Sequence, residues 1–205
     1  MNWREWEPLY REILADFGFD RSRDEESARR LDGLLRGRPA PDLRPLLAGM
    51  RVAVCGKGPS LDKAIATLEP EEVVVSANGA TTRLLARGVV PAVVVTDLDG
   101  RMEDLLEANR RGAAMVVHAH GDNMERLPAV ARMERVLGTT QAEPFGSLRN
   151  FGGFTDGDRC VFLARAYGAA SIRLLGFDFD DPSAGPVKRK KLEWARKLLQ
   201  GAGMV

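Results

Sequence analysis

Asp97 and Asp99 stand two residues apart in the run Thr96-Asp97-Leu98-Asp99-Gly100. If the chain stays extended through Leu98, both carboxylates project from one face while Leu98 points into the core. Such a pair suits a hard cation, because magnesium takes oxygen ligands and is usually held by one or two carboxylates together with substrate phosphates. The plainer alternative is that Asp97 caps the next helix and Asp99 makes a turn with Gly100. The two histidines of the chain, His118 and His120, are also two apart and are followed by Gly121-Asp122. Imidazole prefers softer ions than magnesium and no cysteine cluster completes a zinc site. Hydrogen bonding to substrate or phosphate is therefore expected of this pair, with a structural role for one of them left open.

Three further stretches carry polar chemistry. Gly56-Lys57-Gly58-Pro59-Ser60 separates an apolar run from a helical pattern, a place where backbone N–H groups and the helix dipole favour phosphate, although it lacks the spacing of a Walker loop. Asn150-Phe151-Gly152-Gly153-Phe154-Thr155-Asp156-Gly157-Asp158-Arg159 is a glycine-rich loop running into a helix that Thr155 or Asp156 could cap. Its glycines beside Phe151 and Phe154 would let a flat ring approach, and Arg159 could reach a phosphate. The alternative is a long surface turn with buried aromatics. Lys188-Arg189-Lys190-Lys191 adds local positive charge at the start of the last helix, where Lys188 or Lys191 could contact a ligand, although such runs are most often solvated faces.

These residues need elements to position them. Short apolar runs at Val52–Cys55, Val73–Ala77, Ala92–Val95, Met115–Val117, Val136–Leu137 and Ile172–Leu175 read as strands. Helical patterns fall between them at Ser60–Leu68, Ala80–Arg87, Met102–Arg111, Asn123–Met133 and Gly157–Tyr167. A last amphipathic helix spans Val187–Leu199. The alternation predicts an α/β fold with a doubly wound, mostly parallel sheet of about six strands. Ahead of it, Trp3–Phe17 and Arg23–Arg36 read as helices ended by Gly37-Arg38-Pro39. Residues 1–45 are thus expected to form an N-terminal helical segment and 46–205 an α/β catalytic domain. In open parallel sheets the ligand crevice lies beyond the carboxyl ends of the strands. All six runs are followed there by polar or glycine-rich segments, including Asn78-Gly79, Thr139-Thr140-Gln141 and Phe177-Asp178. Amphipathic packing alone does not demand that convergence.

The chain has 205 residues, with 30 Lys and Arg against 29 Asp and Glu, so a formal net charge of +1 supplies no field to gather nucleic acid or an anionic membrane. A small-molecule partner fits better. Two cysteines without disulfide or zinc spacing imply a reducing setting, and no apolar run approaches membrane-spanning length. A cytoplasmic protein is expected. Trp3 and Trp6 hint at a contact surface, and homo-oligomerisation stays open.

Together, GKGPSLD at 56–62, SANGA at 76–80, TDLDG at 96–100, HAHGDN at 118–123, NFGGFTDGDR at 150–159 and GFDF at 176–179 resemble the archaeal 6-hydroxymethyl-7,8-dihydropterin pyrophosphokinases. The acid pair and Asn78-Gly79 are more distantly similar to thiamine pyrophosphokinases. The resemblance implies Mg2+-dependent diphosphoryl transfer from ATP to a hydroxymethylpterin, with AMP departing, in tetrahydromethanopterin or folate precursor synthesis. Asp97 and Asp99 would hold the metal, and Asp122 or Asp156 would take the hydroxyl proton or bind a second metal. Gly56, Lys57, Gly58, Ser60, Asn78, Gly79, His118, His120 and Arg159 would contact the nucleotide. Asn150, Phe151, Phe154 and Asp178 would hold the pterin. Two rival readings are a sugar transferase, because distantly related bacterial proteins share a strand followed by a GxGPSL turn, and a non-catalytic nucleotide sensor.

Overall fold

Strands composed almost wholly of Val and Ala have no polar face, so both sides of their sheet must be covered. The computed structural model describes residues 1–205 and contains six strands, Val- and Ala-rich from the first to the fourth: β1 (Arg51–Cys55), β2 (Glu72–Ala77), β3 (Val93–Thr96), β4 (Ala114–Ala119), β5 (Val136–Thr140) and β6 (Ser171–Leu175). Every pairing is parallel, and the strand order is β5-β4-β3-β2-β1-β6. The chain lays β1 to β5 successively toward one flank, then crosses back to place β6 beside β1. Strand order therefore reverses between β1 and β6, where an open sheet splits its loops apart.

Side-chain alternation along the strands sorts the core. Val52, Val54, Val75, Val93, Val95 and Val116 share one cluster with α1 (Trp3–Phe17), α7 (Asp156–Ala166) and α8 (Pro186–Gly201). On the opposite face Ala53 and Cys55 meet α4 (Leu61–Ala64) and α5 (Ala80–Ala86). Val94, Met115 and Val117 on that face meet α2 (Arg21–Leu35) and α6 (Met102–Arg110). A short α3 (Arg44–Leu47) leads into β1.

The first two helices are well signalled locally. Asn2 and Glu5 form a reciprocal capping box on α1, at 2.8 and 3.1 Å, and Gly18 ends the helix in the left-handed region. Trp6, Tyr10 and Ile13 are buried in the cluster of the sheet face. Trp6 is fully covered and its indole donates to the Gln141 carbonyl (2.8 Å), so it is packing rather than the contact surface suggested by composition. Two spans differ from expectation. Asn123–Met133 is a loop with a 3₁₀ segment at Leu127–Arg132 in place of an α-helix, because Pro128 removes a donor and the Asn123 side chain is bound into the loop. The Ser60–Leu68 pattern yields only α4 and a 3₁₀ turn at Ile65–Thr67.

Candidate active site at the carboxyl edge of the sheet

A cleft of 610 Å³ opens where the strands end, bounded also by the α1–α2 turn and by α8. At its centre the chain does not stay extended after β3. Leu98 takes a positive φ of 68° and buries its side chain, while its N–H donates to Thr96 Oγ1 (2.8 Å). The acid pair therefore converges through a tight turn rather than by strand alternation, which requires both residues to lie in one extended run. Asn78, itself at φ 29°, fastens the turn. Its Nδ2 donates to Asp97 Oδ1 at 3.0 Å and also to Asp99 Oδ1, while its Oδ1 accepts from Thr96 Oγ1 (2.9 Å) and Gly100 N (3.1 Å). Asp97 does not cap α6, whose N-cap is Arg101.

The carboxylates differ in charge state. Burial works to raise the Asp97 carboxyl, but hydrogen bonds from His120 and from the Asp99 N–H outweigh it and hold it down to about 2. Partial burial and the charge of Asp97 push Asp99 up. Asp156, at the first turn of α7, is raised well above the carboxylate range by burial and then by Asp97. These oxygens are hard donors that fit magnesium. Two carboxylates are the donor set that magnesium takes when phosphate oxygens and water complete its shell.

The two histidines part company. His120 lines the cleft. Its Nδ1 accepts from Asp122 N (3.3 Å), so the proton sits on Nε2, which faces Asp97 Oδ2 at 3.4 Å. His118 lies inside β4, 2% exposed, against Thr139 Oγ1 (3.1 Å), and burial depresses its pKa so that it stays neutral. It sits behind the cleft: β4 ends at Ala119, so His120 belongs to the loop that follows, and the period-two rule that would put both rings on one face does not reach it. Asn123 ties this loop to the acid turn, donating to the carbonyls of Asp97 (2.8 Å) and His118 (2.7 Å).

The loop after β1 lines the cleft with Gly56, Lys57 and Gly58, and the backbone donors on either side of Lys57 are already engaged. The N–H groups of Gly56 and Gly58 donate to Leu175 O and Gly176 O (both 2.8 Å), and Ser60 N and Oγ donate to Asp178 Oδ2 (2.9 and 2.8 Å). The loop keeps the Lys57 N–H, which takes no part in these bonds, as its backbone donor for a phosphate. It is zipped to the loop after β6, and Lys57 is the residue left to present charge. The Lys57 chain lies over Gly79, where an added Cβ would come 2.7 Å from Lys57 Cδ.

In the 150–159 loop, Thr155 caps α7, with Phe154 N and Thr155 N donating to buried Asp158 (both 2.7 Å). Phe154, Asp156 and Arg159 line the cleft. Asn150 and Phe151 do not. The Asn150 amide donates to Gln141 O (3.2 Å) and Ala142 O (3.0 Å), and Phe151 packs on Tyr167 with centroids 5.6 Å apart. Gly153 admits the α7 backbone rather than a ligand ring, since a Cβ there would meet Arg159 N at 2.8 Å. Asp122 lines the rim with its side chain 68% exposed. Lys191 faces the cleft, as does Lys188, which pairs with Asp181 Oδ2 at 3.0 Å.

Arg23 and Asp24 line the cleft with no expectation from the sequence, and Gln141, Phe177 and Phe179, which the strand-end and GFDF segments had only placed at this edge, line it too. Asp24 could have been noticed as an acid four and seven residues before Ala28 and Leu31, on the buried stripe of α2. Its Oδ1 accepts from Gly121 N (2.8 Å), and its Oδ2 accepts from Tyr10 OH (2.7 Å) and Gln141 Nε2 (2.8 Å). Gln141 Oε1 in turn accepts from Arg159 Nη2 (3.1 Å), whose Nη1 lies 3.4 Å from Asp156 Oδ1.

Residues 26–183 match the family model described as 6-hydroxymethylpterin diphosphokinase MptE-like. A protein named 6-hydroxymethyl-7,8-dihydropterin pyrophosphokinase from Methanothermobacter thermautotrophicus is 48% identical, over 96% of this chain and 92% of its own. Proteins of that name from Pyrococcus furiosus and Methanocaldococcus jannaschii are 44% and 39% identical over 98% and 97% of this chain, and 94% and 95% of theirs. Among solved structures, the MAf glycosyltransferase of Magnetospirillum magneticum AMB-1 superposes with a TM-score of 0.56 at 20% identity, covering 80% of this chain and 28% of that one. At that identity the likeness shows a shared fold and nothing of activity.

Proposed function

This chain belongs to the 6-hydroxymethylpterin diphosphokinase MptE-like family, and from that premise we propose that it is an enzyme moving the β,γ-diphosphoryl group of ATP to the hydroxymethyl oxygen of 6-hydroxymethyl-7,8-dihydropterin. The observation that carries the reading is the carboxylate turn at Asp97 and Asp99. It is clamped by Asn78 and faced by Asp156 in a cleft of 610 Å³, large enough for a nucleotide beside a bicyclic ring.

Asp97 and Asp99 would hold magnesium together with phosphate oxygens. Bound there, the ion would neutralise phosphate charge and polarise the β-phosphorus. The acceptor oxygen attacks that phosphorus, the bond to the bridging α–β oxygen breaks, and AMP leaves with that oxygen. The hydroxyl proton passes to a carboxylate. Of the two left open by the sequence, Asp156 faces the centre with a raised pKa, as a general base requires, whereas Asp122 stands at the exposed rim. Lys57 and Arg159 supply cationic contacts to the phosphates. His120 holds Asp97 ionised and oriented, and Phe154, Phe177 and Phe179 offer apolar surface to the rings. The product would feed tetrahydromethanopterin or folate precursor synthesis. With two free buried thiols and diffusible substrates, the enzyme suits a reducing cytoplasm.

The test supplies ATP and Mg2+ with reduced hydroxymethylpterin, with thiamine, or with a nucleotide sugar in place of ATP. AMP and diphosphorylated pterin in the first arm alone are expected. Turnover of thiamine or of the sugar donor would reassign the substrate, and ATP binding without turnover in any arm would make the chain a sensor.

A further inference from the structure

A buried amide caught between an acceptor-only group and a donor-only group has one orientation available to it. Gln141 is 6% exposed and is so caught. The Asp24 carboxylate can only accept, so it takes the Gln141 Nε2 proton (2.8 Å). The Arg159 guanidinium can only donate, so it requires Gln141 Oε1 (3.1 Å). Put a donor in place of that Asp24 oxygen and the amide meets donors on both sides, so that whichever one its oxygen serves, its NH₂ is set against the other. Arg159 is itself 8% exposed and its Nε has no partner, so its guanidinium is held by the Gln141 contact and a long 3.4 Å pair with Asp156. The other oxygen of Asp24 accepts from Gly121 N, fixing the loop that carries His120.

We propose that Asp24, supplied by α2 from outside the sheet, is a positioning residue for the transfer reaction. Through Gln141 it aims the Arg159 guanidinium at the phosphate side of the cleft, and through Gly121 it sets the His120 loop against Asp97. This rests on the diphosphotransferase reading above. Asp24 touches no reacting atom. It acts by selecting one of two amide orientations.

The geometry specifies its own rescue. In Asp24→Asn, the remaining carbonyl oxygen still accepts from Gly121 N, but an NH₂ group replaces the oxygen that held Gln141. Adding Gln141→Glu supplies acceptors on both sides, one for that introduced NH₂ and one for Arg159, while Tyr10 OH turns to accept from the same NH₂. Net charge is unchanged. Steady-state kinetics of the full chain with ATP, Mg2+ and reduced hydroxymethylpterin should show Asp24→Asn lowering kcat by about ten- to a hundredfold with KM for the pterin changed far less. The double variant should recover kcat to within roughly threefold of wild type. Tyr10→Phe removes another hydrogen bond to the same oxygen but leaves the amide orientation alone, so it should lower the melting temperature with kcat kept within about twofold. If Asp24→Asn and Tyr10→Phe reduce kcat in proportion to lost stability and the double variant recovers nothing, the positioning role is overturned. The double variant decides the matter even if Asp24→Asn alone fails to fold. Absence of turnover in the wild type would instead overturn the reaction on which the proposal rests.

Discussion

Asn78 uses both polar ends of its amide on the acid turn, and so decides whether Asp97 and Asp99 can stand close with one of them charged. Asn78→Ala should lower turnover on the order of 100-fold, because the two carboxylates lose the donor between them. It should destabilise the fold by only about 1–3 kcal/mol, the cost of leaving Thr96 and Gly100 without their acceptor; the check is kcat beside a denaturant midpoint. Asp156 yields a prediction with a definite sign. Its folded pKa lies above the unfolded value, through burial first and Asp97 second, so the folded state binds the extra proton and the wild type loses stability as pH rises between the two values. Asp156→Asn does not titrate, so its melting temperature should gain on that of the wild type as pH climbs from the carboxylate range toward neutrality, while turnover collapses. Parallel melting curves across pH would refute the assignment. Of the two proposed metal ligands, Asp99 is the raised one and must give up its proton to receive a cation. Magnesium binding should therefore tighten with pH and release protons, measurable by calorimetry in buffers of different ionisation enthalpy.

At the scale of elements, the loops after β1 and β6 act as one unit. Gly56 N and Gly58 N reach the carbonyls after β6, and Asp178 closes on Ser60. This seam lies where strand order reverses, and it leaves little space. A Cβ on Gly58 would come 2.5 Å from Gly176 O, a backbone atom that cannot swing away. Gly58→Ala should cost about 1–3 kcal/mol by overpacking and weaken ATP binding by displacing Lys57, visible as a lowered melting temperature and a raised KM for ATP. Unchanged values in both would mean the two loops separate freely.

At the scale of the molecule, the helices before β1 are part of the core. Trp6, Tyr10 and Ile13 share a cluster with Val52, Val54 and Leu137, and Ala28, Leu31 and Leu35 share another with Val136. A chain of residues 46–205 alone is expected to be molten or insoluble and without turnover. A cooperative melt and activity from that fragment would show that the site is self-contained in the sheet.

The sequence by itself determined the sheet, because Val-rich runs of strand length separated by helical periodicity admit little besides a covered parallel sheet, and polar turns at one end of every run mark the edge where the cleft opens. It also located the acid pair, since Asp97 and Asp99 are chemically conspicuous at any resolution of the pattern. It misread how they converge, because the left-handed turn at Leu98 is imposed by bonds from Thr96 and Asn78 that no local propensity encodes. Asn150 and Phe151 looked like ligand contacts and Asp24 drew no expectation at all for the same reason: composition shows what a side chain can bind, not which face it turns. Only the tertiary structure decided that. Packing directed Phe151 onto Tyr167, closed the backbone of the β1 loop upon β6, and brought α2 across the sheet until the Asp24 carboxylate met Gln141, 117 residues further along the chain.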